Sequence, residues 1–126
     1  MTISKLDQNE LPEFLVHGAC IKFYKTADGT TNITLLAAGH HPKLRITRAE
    51  ICLYTGAVQS QQTITKGDGT TTLVSGLNSG TTAGTYVAGT PVAGAYLDRN
   101  DALLLVTSAA GTTVLSMIVV EWESID

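Results

Sequence analysis

Apolar and polar residues alternate in short runs along most of this chain, and Gly, Asp, Asn and Pro punctuate the runs. A period of two is the mark of strands, because successive side chains leave a strand on opposite faces. Phe14 to Lys25 predicts a long strand, with Leu15, Ala19, Ile21 and Phe23 largely on one face and Phe14, Val16, Cys20 and Tyr24 on the other. Ala27-Asp28-Gly29 is a turn signal. Thr31 to Leu36 predicts a second strand, closed by Ala38-Gly39-His40-His41-Pro42. Lys43 to Tyr54 predicts a third. Its phase slips between Leu44/Ile46 and Ala49/Ile51/Leu53, as a β-bulge near Thr47-Arg48 would make it do.

Gln61 to Lys66 and Thr71 to Val74 flank Gly67-Asp68-Gly69 and read as a hairpin. Ser75 to Gly94 is rich in Gly, Thr, Ser and Ala and reads as loop, with one weak strand at Tyr86 to Ala88. Ala95 to Leu97 reads as a short strand before an Asp98-Arg99-Asn100-Asp101 turn. Ala102 to Ser108 and Thr112 to Glu123, joined by Ala109-Ala110-Gly111, read as an antiparallel hairpin. Strands at this spacing, with turn chemistry between them, predict an all-β antiparallel sandwich over residues 14–126. Residues 1–13 sustain no period and read as an extended N-terminal arm, with Ile3, Leu6 and Leu11 as its apolar anchors.

Composition agrees with strands and turns: hydrophobic residues are 44% and charged residues 15% of 126 residues, a length that suits one domain. The net charge of −3 comes with no Lys/Arg stripe, so no nucleic-acid partner is expected. Met1 to Pro12 is polar and lacks the apolar run of a signal peptide, and no stretch approaches the ~20 apolar residues of a membrane helix. No membrane partner is expected, and synthesis is expected in a cytoplasm. Cys20 and Cys52 each lie in an apolar run and read as two buried, unlinked thiols.

Several features of the chain taken together resemble the small jelly-roll proteins that decorate the heads of tailed bacteriophages. They are Gly67-Asp68-Gly69-Thr70, the segment Ser79-Gly80-Thr81-Thr82-Ala83-Gly84-Thr85, the run Leu97-Asp98-Arg99-Asn100-Asp101-Ala102-Leu103-Leu104, and the closing Ala110-Gly111-Thr112 and Val119-Val120-Glu121-Trp122. The likeness spans Thr31 to Asp126. It implies a jelly-roll sandwich, a homotrimer, a phage major capsid protein as partner, and a place on the virion surface. It implies no catalytic residues and no cofactor.

Candidate chemistry adds little to this. His40 and His41 are adjacent and His17 is distant, so no metal site is expected, and the pair reads as a solvated turn before Pro42. Asp68, Asp98, Asn100 and Asp101 read as turn residues rather than Ca²⁺ ligands. Glu50 lies within a strand and is expected to pair with Arg48, two residues away on the same face. No nucleophile elbow or Cys-x-x-Cys occurs, so no enzyme is expected.

The last two strands break the one-face rule. Val114, Ile118, Val120 and Trp122 mark one face, with Ser116 between them, and Leu115, Met117 and Val119 mark the other; Leu103 to Val106 behaves the same way. Apolar side chains on both faces imply a cover: another subunit, the arm, or the 75–94 loop. Leu104, Val106, Leu115, Met117 and Val119 are therefore the expected oligomer or capsid contacts, together with the three arm anchors. An alternative is a carbohydrate- or receptor-binding module of a viral fibre or tail. Aromatics at 6% and a lone Trp late in the chain supply a sugar platform poorly.

Overall fold

The structure is a computed structural model, and it describes residues 17–26, 32–55, 59–110 and 114–125. Nine strands are described: β1 (His17–Thr26), β2 (Asn32–Leu36), β3 (Leu44–Thr55), β4 (Ser60–Lys66), β5 (Thr72–Asn78), β6 (Tyr86–Ala88), β7 (Thr90–Pro91), β8 (Leu103–Ala110) and β9 (Val114–Ser124). They form two antiparallel sheets, in the orders β1-β9-β3-β6 and β2-β8-β4-β5-β7. The protein is an all-β sandwich. The arm, with Ile3, Leu6 and Leu11, lies outside the described residues.

The strand pairings are nested. β4 pairs with β5, β3 with β6, β2 with β8 and β1 with β9, and successive pairs lie in alternate sheets. Two further pairings, β3–β9 and β4–β8, join the pairs within each sheet.

This nesting corrects the expected hairpin of the last two strands. β8 lies between β2 and β4, β9 lies between β1 and β3, and the chain changes sheet between Ala110 and Val114. Facing sheets are only about 10 Å apart, so a short connection spans the gap as readily as it closes a hairpin. Leu103 and Leu105 of β8 meet Ile118 and Val120 of β9 in one core cluster, all with no exposed surface. Fully burying each such side chain stabilises by about 1.5–3 kcal/mol.

The bulge in β3 stands where the slip of phase put it: the β3–β9 register shifts between Ile46 and Arg48. The extra residue lets Leu44 and Ile46 before it, and Ala49 and Ile51 after it, all enter the core.

Two further expectations are corrected. Ser75 to Asn78 belongs to β5 rather than to a loop, and Thr90–Pro91 forms β7 against it. β5 continues past its apolar start because Gly76, at φ 78°, supplies a left-handed residue that re-aims Leu77 into the core. Pro91 sits on the outermost strand, where a missing N–H costs no ladder bond. Ala95 to Leu97 is not a strand. Only Leu97 makes a bridge, to Leu44.

One end of the sandwich interior is polar. Gln62 Nε2 donates to Ser60 Oγ at 2.6 Å, and Thr107 Oγ1 donates to Gln62 Oε1 at 2.9 Å. The Ser60 amide donates to Ser79 Oγ at 2.9 Å, which ties the end of β5 to the start of β4. Polar groups with satisfied bonds can be buried at small net cost.

Candidate functional site

The strands present two outward faces, on opposite sides of the molecule. On the four-stranded sheet, alternation sends Ile51 and Leu53 inward and Cys52 and Tyr54 outward. Register places Tyr86, Cys52 and Met117 side by side in one row across β6, β3 and β9. Ala88, Glu50 and Val119 form the next row. Met117 and Val119 are half-buried, whereas Tyr54 and Tyr86 are 57% and 55% exposed. Cys52 is buried and carries a free thiol, as its apolar context predicts. The Cys20 side chain lies outside the described ones.

Beyond these rows the face is charged. Arg48 bonds to Glu50 at 2.8 Å, the pair read from the sequence, and also to Glu121 at 2.5 Å on β9. Arg45 pairs with Glu123 of the same strand. The bulge brings Arg48 opposite Glu121, so the second partner was hidden from any reading along one strand. Exposed pairs of this kind are worth about 0–1 kcal/mol each, and they fix orientation more than stability.

On the five-stranded sheet, Leu104 and Val106 point outward and are half-buried. Thr34 and Thr65 flank Leu104, and Asn32 and Thr63 flank Val106. The expected contact residues are thus divided. Leu104 and Val106 lie on one outer face, Met117 and Val119 on the other, and the sandwich core separates them. Leu115 occupies β9 opposite Thr55 and Lys25, but its side chain is outside the described ones.

No known protein family, curated protein or solved structure matches this chain.

A cleft of about 230 Å³ opens at the edge where β1 and β2, the outer strands of the two sheets, come together. Its lining includes Gly18, Leu36, His40, His41, Pro42 and Trp122. Trp122 packs against the core cluster, and its indole lies over Gly18, its register partner on β1. Any Cβ at Gly18 would run into the indole ring atoms, so only glycine leaves room there. The chain's one tryptophan therefore stands at a cleft rather than in a bare terminal segment.

His41 also departs from the solvated turn expected of it. It is half-buried, with Nδ1 at 2.7 Å from the Pro42 carbonyl oxygen and Nε2 at 2.6 Å from that of Asp101. Asp101 Oδ1 in turn accepts the Gly67 amide at 2.9 Å, so one histidine and one aspartate tie three turns together. His40 is exposed. Beside this cluster the Lys43 and Lys66 ammonium groups lie 4.4 and 5.2 Å from the Tyr96 ring centroid, within cation–π range.

Among the described residues, no group of three or more His, Cys, Asp and Glu stands where it could hold a metal ion. Among the described residues, no helix is long and apolar enough to cross a membrane. Asp68 behaves as a turn residue: its carboxylate accepts the amides of Thr70 and Thr71 at 2.9 and 2.8 Å and the Thr71 hydroxyl. Those bonds, the hydroxyl's first, lower its pKa from 3.8 to about 2.

Proposed function

We propose that this protein is a structural virion protein, one that attaches to the outer surface of a phage capsid as a homotrimer and stabilises or decorates it. The observation that carries this reading is the outward face of the four-stranded sheet. Two tyrosines, each more than half exposed, stand beside half-buried Met117 and Val119 and the arginine pairs. Tyr, Met and Arg grouped on one outward face are the composition of a protein–protein contact.

Two further observations support it. The nested pairings are those of one long hairpin, tipped at Gly67-Asp68-Gly69 and wound into two sheets, which is how we read this sandwich as a jelly roll. The second outer face, with Leu104 and Val106, gives a small protein a second side to cover. In this reading the tyrosine face meets a neighbouring copy, and residues 1–13 reach toward the capsid. Thirteen extended residues span about 40 Å, far enough to cross a subunit boundary.

Light scattering on the isolated protein at micromolar concentration should return three times the 13.3 kDa chain mass. Added to capsids stripped of surface proteins, it should co-sediment with them, and a version lacking residues 1–13 should bind more weakly. A monomer that leaves capsids bare would defeat the proposal.

A further inference from the structure

The cleft at Trp122 combines features that attachment to a protein lattice does not use. Its walls are mostly apolar: the Trp122 indole, Leu36 and Pro42. Two polar groups stand at it. Neither the exposed His40 ring nor the indole N–H of Trp122 has a hydrogen-bond partner among the described residues. His41, by contrast, sits between two backbone carbonyls, and whichever ring nitrogen carries the proton donates to one of them, which holds the cleft wall in place.

Size narrows the occupant. A volume of about 230 Å³ equals that of roughly seven or eight water molecules, at about 30 Å³ each. That suits one six-membered ring with its substituents and is too small for a folded peptide segment or a nucleotide. Chemistry narrows it further. An apolar ring wall asks for a flat apolar face on the ligand. An imidazole that both donates and accepts, with an indole N–H beside it, asks for hydroxyls at the ligand's rim. A hexopyranose has both, C–H faces and equatorial hydroxyls. Ion-pair recognition of an acidic ligand is not provided for, since none of the lining side chains is a lysine or an arginine.

We propose that this cleft binds one neutral hexopyranose unit, the terminal sugar of a surface glycan. Trp122 and Pro42 pack on the sugar's face, and His40 bonds to its hydroxyls. This is a second activity, on a different part of the molecule from the tyrosine face, and it does not depend on attachment to a capsid. The rigid setting of the indole matters to it. Gly18 lets the ring lie flat on β1, which holds the platform before any ligand arrives.

The single tryptophan is its own reporter. Titrating the isolated protein with the methyl pyranosides of glucose, galactose and mannose should give, for at least one of them, a saturable change in tryptophan emission in the millimolar range. Pro42 lines the cleft and is half-buried, so Pro42→Ala strips part of its apolar wall while keeping the backbone carbonyl beside His41, and should weaken the response severalfold. His40→Ala, at an exposed position, removes one neutral hydrogen-bonding partner and should weaken binding about fivefold. Tyr54→Ala, on the outward face of the other part of the sheet, should leave the titration unchanged. The absence of a saturable change with all three sugars overturns the proposal, and so does a response that survives Pro42→Ala or His40→Ala undiminished. Light scattering on the same samples reports trimer formation separately, so failure here is distinguishable from failure of the attachment reading.

Discussion

Asp68 shows how much one side chain can organise. Its carboxylate gathers two amides and a hydroxyl within four residues, and these bonds favour the ionised form. A carboxyl whose pKa is lowered on folding stabilises the native state above its unfolded value and ceases to do so once it is protonated in both states. For Asp68 the window runs from 3.8 down to about 2. Asp68→Asn should therefore be less stable than the parent protein at neutral pH, and the gap should close as pH falls through that window. Chemical denaturation of both proteins across acid pH measures it; a gap that stays constant to the bottom of the window would show that the carboxylate's charge is not involved. The turn itself was legible in Gly67-Asp68-Gly69. Trp122 was not. Its place over Gly18 depends on β1 lying beside β9, a pairing between distant parts of the chain that periodicity along either strand does not record.

At the scale of elements, alternation was the reliable signal and connection length the unreliable one. The slip of phase in β3 located the bulge because each strand residue has only two directions to point, and a buried face rejects a polar error. The short link between β8 and β9 has the length of a hairpin turn, and spacing cannot distinguish a turn within a sheet from a step between sheets. β5 runs further than its sequence suggests for a similar reason: Gly76 looks like a loop residue and serves as a bulge. Face assignment in β8 has a direct test. Leu105→Ala, which empties a fully buried position, should cost about 2–5 kcal/mol, and Leu104→Ala on the outward face clearly less. Urea unfolding of the two variants would compare them, and equal losses would contradict the inward and outward placement.

For the whole molecule, the question is which face meets a partner. The contact residues read from the sequence were apolar positions on strands with two apolar faces. They could not be sorted further, because sorting requires knowing that β8 and β9 lie in different sheets. The structure sorts them, and it adds Tyr54 and Tyr86, which the chain carries on β3 and β6 and which come to one face only through pairing of those strands. If the tyrosine face is the contact between copies, Tyr86→Arg should convert the assembly to monomer in light scattering while leaving the unfolding midpoint of the isolated domain nearly unchanged, since the residue is 55% exposed. Placing an extra cation in a desolvated contact is costly, whereas at an open surface it is harmless. A Tyr86→Arg protein that assembles as before would place the contact elsewhere.

The nested pairings also set an order in time. The tip, β4 with β5, closes over the short Gly67-Asp68-Gly69 turn, and each pair outside it must close a longer stretch of chain than the last: β3 with β6, then β2 with β8, then β1 with β9. Each doubling of the closed length adds only about 0.6 kcal/mol of entropy cost when it is paid alone, and less when an inner pair is already formed. Zipping outward from the tip is thus the cheap route, although the many distant pairings still make for slow folding. Of the described strands, β1 leaves the ribosome first and waits longest, because its partner among them, β9, emerges after all the others. At about 5–20 residues per second that wait lasts several seconds, during which the edge of β1 is open to any other strand that comes near.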